Sequence, residues 1–248
     1  MAGIKLANIS TRAPKNLDKD KTREKTQKML EKLDDLQYLL YAENRHALLV
    51  VLQGMDAGGK DGAIRHVFGS LNPQGVRVTS FKVPTAQELS HDFLWRIHKQ
   101  VPQKGMIQIF NRSHYEDVLV TRVHKLIDDK TAHQHMDSIN DFEKHLQRNG
   151  TTILKFYLHI SKEEQAKRLQ ERIDDPRKQW KYNAGDFKER QRWHDYLHYY
   201  EEVFDKCGPD IPWTIVPTDQ NWYKEYLITK KVYETLKGFQ MKYPSLPK

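Results

Sequence analysis

The 248-residue chain has one cysteine, Cys207. An internal disulfide is therefore excluded, and with it the stapled framework of small secreted domains; a reducing compartment is expected. No apolar run approaches the roughly 20 residues that cross a bilayer. The first ten residues, MAGIKLANIS, lack a hydrophobic signal core. The expected location is the cytoplasm, with no membrane partner. Internal repeats and low-complexity tracts are also missing, which argues against a solenoid or a disordered chain. What remains suits one α/β domain with insertions, or a domain with a mobile subdomain. Charge is not balanced: 41 Lys and Arg stand against 33 Asp and Glu, a net +8 with a pI near 9.3. Nucleic acid, an anionic membrane surface and polyphosphorylated small molecules all fit that surplus.

Residues 46–65, HALLVVLQGMDAGGKDGAIR, organise the rest. Ala47 to Gln53 carries no charge and reads as a buried strand. Gly54-Met55-Asp56-Ala57-Gly58-Gly59-Lys60 follows, and a helical pattern resumes at about Asp61. Strand, glycine-rich loop and helix start form a phosphate cradle. Glycines let the backbone curl so that several N–H groups point inward, and the helix N-terminus adds partial positive charge. Lys60 can reach the terminal phosphates. The match to G-x-x-x-x-G-K-[ST] has one fault: Asp61 stands where Ser or Thr normally holds magnesium. A carboxylate there would repel phosphate if it pointed inward. Asp56 is the better candidate for the magnesium side of the site.

The remaining chain supplies an α/β alternation. Residues 1–20 are polar, basic and broken by Pro14, and read as an extended arm, ordered on a neighbouring subunit. Residues 21–43 place Leu30, Leu33, Leu36, Leu39 and Leu40 at helical spacing, a core-packing face. Val76 to Phe81 alternates as a strand with Lys82 at its carboxyl end, where ligands of open α/β sheets gather. A helix is expected from Pro84-Thr85 to Lys99, with Arg96, His98 and Lys99 at the surface. Met106 to Phe110 is the next strand. Asn111 stands where a carboxylate would normally end it. Arg112 would project towards the phosphates, and a helix from near Ser113 would carry the acidic pair Glu116 and Asp117.

Residues 131–148 read as a helix with Phe142 and Leu146 inward, and Thr152 to Ile160 as a strand. Ser161-Lys162-Glu163-Glu164 is a capping-box signature. The helix it starts carries Arg168 and Arg172 four apart, on one face. Pro176 ends it, and Arg177, Lys178 and Lys181 follow around Trp180. In nucleotide kinases this place is the lid that closes over the transferring phosphates. A helix over 186–205, a strand at Trp213–Pro217 and a helix over 221–239 complete the chain. His194 and His198 stand four apart, but without a third ligand nearby they read as structural.

These residues resemble a known family. Gly54-x-Asp56-x-x-Gly59-Lys60-Asp61-Gly62, Asn72-Pro73-Gln74-Gly75-Val76-Arg77-Val78, Phe81-Lys82-Val83-Pro84-Thr85, Phe110-Asn111-Arg112-Ser113-His114-Tyr115-Glu116-Asp117-Val118 and the run Arg172 to Lys181 are similar to the polyphosphate kinase 2 family. The likeness spans roughly residues 20–240. It implies a thymidylate-kinase-like P-loop fold: an α/β three-layer sandwich with a mainly parallel sheet and a helical lid at about 168–185, within one domain over 21–248. It also implies reversible, magnesium-dependent phosphoryl transfer between inorganic polyphosphate and a nucleotide, with manganese as a substitute ion, in a homo-oligomer. No nucleic-acid partner is expected.

Carried over by position, Lys60 and the loop amides of Gly54, Ala57, Gly58 and Gly59 hold phosphate, beside Asp61. Asp56 serves the metal, with Glu116 and Asp117 as further metal candidates. Lys82, Asn111 and Arg112 line the phosphate path. Arg172 clamps from above with Arg168, Arg177 and Lys181. Many family members have Asp at the place of Asn111 and Asn at that of Glu116. The pattern here resembles the subfamily that accepts both nucleoside mono- and diphosphates, so AMP and ADP are the expected acceptors. Two carboxylates at Glu116 and Asp117 would place a metal, or its bound water, where the shorter acceptor needs it. Transfer is expected to be in line, without a covalent enzyme intermediate. Two other classes stay open: an ATP-dependent nucleotide kinase of the same fold, and a non-catalytic polyanion binder. The binder has no use for Asp56, Glu116 and Asp117 beside its anion site.

Overall fold

Seven uncharged residues, Ala47–Gln53, form the central strand β1, and every one of them is buried. Its odd and even residues serve different cores. Leu49 and Val51 point into one apolar cluster, and Leu48, Val50 and Leu52 into the other. A strand covered on both faces needs a continuous apolar run rather than alternation. The computed structural model describes residues 3–246. The other strands are β2 Val76–Ser80, β3 Ile107–Asn111, β4 Thr151–His159 and β5 Trp213–Pro217, in the order β2-β3-β1-β4-β5. All four pairings are parallel, and Leu48 lies opposite both Ile107 and Thr152. The chain runs outward to β2, returns through β3 and then crosses β1 to reach β4. The carboxyl end of β1 is thus the switch point at which such sheets bind ligands.

The helices in chain order are α1 Lys19–Glu43, α2 Lys60–Ala63, α3 Ala86–Leu89, α4 Trp95–His98, α5 Val120–Val123, α6 Asp129–Arg148, α7 Lys162–Asp174, α8 Ala184–Glu189, α9 Trp193–Lys206 and α10 Asn221–Gly238. Leu33 and Leu40 of α1 meet Ile228, Val232 and Leu236 of α10 on one face of the sheet. Met136, Ile139 and Phe142 of α6 and Tyr200, Val203 and Phe204 of α9 cover the other. The result is the expected three-layer α/β sandwich. Each buried aliphatic side chain contributes about 1.5–3 kcal/mol to it. No helix among the described residues is long and apolar enough to cross a membrane.

Several expected elements differ. The stretch Thr85 to Lys99 is two short turns, α3 and α4, separated at Ser90–Leu94. A Thr85–Glu88 capping box starts the first. The break rotates Arg96 inward, so it is buried rather than solvated. The helix after the glycine loop stops at Ala63 and continues as a π turn over Ile64–Phe68. Residues 184–206 are α8 and α9 joined by a 3-10 turn. The described part of the N-terminal segment lies against its own chain. Leu6 is fully buried, and its N–H donates to Glu201 Oε1 at 2.8 Å. Thr11 and Ala13 bond Asp219 and Gln220 at the start of α10.

A buried charge network ties β4 to α6. Lys155 Nζ donates to Glu143 Oε2 at 2.7 Å and to the Tyr115 hydroxyl at 2.9 Å. Tyr115 in turn donates to Glu143 Oε1 at 2.9 Å. Tyr115 belongs to the 3-10 turn His114–Val118, so the network anchors the segment that carries Glu116 and Asp117.

Candidate active site

The chain leaves β1 at Gly54 and curls back before α2 begins at Lys60. Gly59 adopts φ +96°, and Gly58 passes so close to Met55 that a Cβ would lie 2.8 Å from the Met55 carbonyl oxygen. Only glycine fits both conditions. Ala57 has φ +59°, a left-handed conformation that costs a non-glycine residue about 1–3 kcal/mol and recurs at functional sites. Lys60 is buried, and its Nζ donates to Gly54 O at 2.6 Å and Met55 O at 3.2 Å. Burial and the neighbouring Arg112 pull its pKa below the ordinary lysine value. The ammonium is thus held in the loop by carbonyls from which a phosphate oxygen can draw it.

Asp56 projects from the loop and accepts from Arg112 Nη2 at 2.6 Å. Arg112, at the end of β3, is also left-handed, with φ +62°. Its Nη1 lies 3.5 Å from Glu116 Oε2. Two carboxylates therefore converge on one cation. Burial opposes the guanidinium charge, but Glu116 and Asp56 outweigh it and push the Arg112 pKa up. Gln165, Tyr196 and Tyr200 stand beside Asp56 and Glu116 around a cavity of about 30 Å³. Asn111 Nδ2 donates to Asp61 Oδ1 at 3.0 Å, and Lys181 Nζ to Asp61 Oδ2 at 3.2 Å. Burial raises the Asp61 carboxyl, yet these two donors win and keep it below its ordinary value. Asp61 thus links the start of α2 to the lid and to β3.

Along the loop runs a cleft of about 920 Å³, whose walls include Lys60, Lys82, Arg112, Arg168, Arg172 and Lys181. Gly54 lies outside it, on the wall of the smaller cavity. Each lid cation has a carboxylate at hand: Arg172 pairs with Asp186, Lys178 with Glu171 at 2.8 Å, and Lys181 with Asp61. Two sequence-derived assignments are not gathered here. Arg177 pairs with Asp175, its side chain 89% exposed, and lines neither cavity. Asp117 turns away from Asp56 and Glu116 towards Arg96, whose Nη2 is 3.9 Å away. Its Oδ2 is buried without a hydrogen-bond partner. Burial pushes this carboxyl up to about 6, against the pull of Arg96 and with a contribution from Glu116. A 3-10 turn advances about 120° per residue, so neighbours such as Glu116 and Asp117 diverge. Among the described residues no group of three or more His, Cys, Asp and Glu is disposed to hold a metal, and His194 and His198 form no such site.

Four residues that sequence reasoning passed over also belong to the site. Lys224 and Gln165 reach the glycine loop from α10 and α7. Asp186 holds Arg172. Arg96 donates to the Lys82 carbonyl at 2.9 Å. Burial pulls Lys224 down to about 8. Lys224 lies 164 positions beyond Lys60 (224 − 60), so no local spacing pairs them.

A parallel sheet that offers a lysine-bearing glycine loop at its switch point, beneath a basic lid, is the arrangement of a P-loop kinase. Residues 16–244 match the family described as polyphosphate kinase 2, and the chain belongs to that family. It is 53% identical over 214 residues to a Meiothermus ruber protein named AMP/ADP-polyphosphate phosphotransferase, covering 86% of this chain and 80% of that one. An ADP-polyphosphate phosphotransferase of Rhodopseudomonas palustris is 47% identical over 228 residues, covering 87% and 79%. The crystal structure of polyphosphate kinase 2 from Arthrobacter aurescens TC1 superposes with a TM-score of 0.96 at 42% identity, over 100% of this chain and 90% of that one.

Proposed function

We propose that the protein transfers a terminal phosphoryl group between inorganic polyphosphate and a nucleotide, with both AMP and ADP as acceptors. The observation that carries this reading is the cation-walled cleft of about 920 Å³ leading away from the phosphate loop. It lies at the upper end of the range for ligand clefts, about 300–1,000 Å³, and accommodates a phosphate chain beside a nucleotide. The Meiothermus ruber relative, by its name, acts on both AMP and ADP.

The chain's own groups account for the reaction by positioning and charge. Lys60 moves from the Gly54 and Met55 carbonyls to the phosphate being transferred. The loop amides meet the charge that spreads over its oxygens. Arg112 orients the phosphates from the opposite side while bound to Asp56 and Glu116. Arg172 and Lys181 exchange their carboxylate partners for phosphate when the lid engages, which excludes water. The attacking phosphate oxygen of the acceptor is already ionised, so no strong base is needed.

Asp56 and Glu116 already converge on a cationic group and offer hard carboxylate oxygens. That donor set suits magnesium, which binds one or two carboxylates and otherwise water and phosphate oxygens; manganese can substitute. When bound, the ion neutralises phosphate charge. Asp117 takes no part in this set. The protein acts in the cytoplasm, as a homo-oligomer. The test is ATP formation from ADP with long-chain polyphosphate as the only donor. ATP accumulating with time supports the reading, and no product at any magnesium concentration rejects it.

A further inference from the structure

Phosphate binding accounts for the loop's amides but not for how its carbonyls are held. Gln165 and Arg168 stand three apart on α7 and so share a face. They reach consecutive carbonyls of the loop: Gln165 Nε2 donates to Asp56 O at 3.0 Å, and Arg168 Nη1 to Ala57 O at 3.2 Å. From α10, Lys224 Nζ lies 3.4 Å from Gly59 O and 2.9 Å from Asn221 Oδ1. These carbonyls belong to the segment that holds the two left-handed residues, Ala57 and Gly59. Meanwhile no chain atom among the described residues accepts from the amides of Ala57, Gly59, Lys60 or Asp61. The loop is gripped by its carbonyls and presents its amides.

Arg168 spends three of its five N–H donors on the protein. Its Nε donates to Glu164 at 2.9 Å, its Nη1 to Ala57 O, and its Nη2 to the Thr218 carbonyl after β5. All three nitrogens are committed to the protein.

We propose that Arg168, Gln165 and Lys224 are positioning residues that clamp the carbonyls of the phosphate loop and hold Ala57 in the left-handed conformation that aims the amides at the transferring phosphate. This rests on the phosphoryl-transfer reading above. Without the clamp, Ala57 relaxes towards ordinary backbone angles and the amides diverge. The loss is felt as charge develops on the phosphoryl oxygens, because displaced donors act most on the transition state. A phosphate ligand would instead act on donor affinity.

The experiment is steady-state kinetics of Arg168→Met and Lys224→Met with ADP saturating and polyphosphate varied, alongside thermal unfolding. The expected result is a roughly ten- to hundredfold fall in kcat, with the KM for polyphosphate within about threefold of wild type. Arg168→Lys, which can serve only one carbonyl, should recover part of the rate. A rise of about tenfold or more in the polyphosphate KM at unchanged kcat would make these residues phosphate ligands and overturn the clamp. Unchanged constants in both variants would overturn it too. Should Arg168→Met fail to fold, Lys224→Met, on a different helix, decides alone. A wild-type protein without polyphosphate-dependent transfer would overturn the underlying reading instead.

Discussion

The phosphate loop and the lid face one cleft but hold their charges differently. Lys60 is buried and bonded to backbone carbonyls, with Gln165, Arg168 and Lys224 gripping other carbonyls of the loop. The lid cations Arg172, Lys178 and Lys181 are held by carboxylate side chains, Asp186, Glu171 and Asp61. The loop backbone is fixed and only the Lys60 ammonium shifts to meet phosphate, whereas in the lid both the cation and its side-chain carboxylate can rotate apart. The loop is a preorganised wall, and the lid is a set of exchangeable ion pairs. Preorganised donors lower the barrier without reorganising during reaction; exchangeable ones let substrate in and product out.

Substitutions in the two regions should separate accordingly. The largest effect is expected at the loop: Lys60→Ala and Asp56→Asn should each lower kcat by roughly 10²–10³, with an unchanged far-UV circular dichroism spectrum. Arg172→Ala, in the exchangeable set, should cost about tenfold, mainly in the KM for polyphosphate. If it matched Lys60→Ala, the distinction between wall and lid would be broken. Glu116→Asn should sharpen the acceptor side. AMP turnover is expected to fall about tenfold more than ADP turnover, and equal losses would detach Glu116 from acceptor choice.

Smaller effects follow at residues that the site leaves out. Asp117 titrates near 6 in the fold instead of its ordinary 3.8. The folded state therefore binds more protons than the unfolded state between about pH 4 and 6. Stability falls as pH rises through that window and stays at the lower value above it. Asp117→Asn removes the penalty, so the variant should gain about 2 kcal/mol over wild type at pH 8 and much less near pH 4. Urea midpoints at the two pH values check this. Arg177→Ala should change kcat and KM by roughly twofold or less, since an exposed ion pair is worth little.

Much of this architecture was legible in the chain. The uncharged run Ala47 to Gln53 before Gly54 reads as a strand covered on both faces, and the following loop and helix start fix what sits at its end. The positions of Asp56 and Lys60 follow from those boundaries, and that of Arg112 from the end of the next apolar strand, β3. Directions within short turns were not legible. Asp117 diverges from Glu116 because consecutive residues of a helical turn point about 100–120° apart. Arg96 is inside because the helix around it breaks at Ser90–Leu94. Arg177 points outward because Asp175, two residues earlier, captures its guanidinium. Gln165 and Lys224 gave no signal, since their role is defined by the loop carbonyls they meet after folding.

The most direct measurement supplies AMP and magnesium with long-chain polyphosphate and no nucleoside triphosphate, and follows the nucleotides by chromatography over time. The account predicts that ADP appears first and ATP after it, and that Lys60→Ala yields neither at a comparable rate. AMP left unchanged until ATP is added would contradict it, and would assign the same loop and lid to an ATP-dependent kinase.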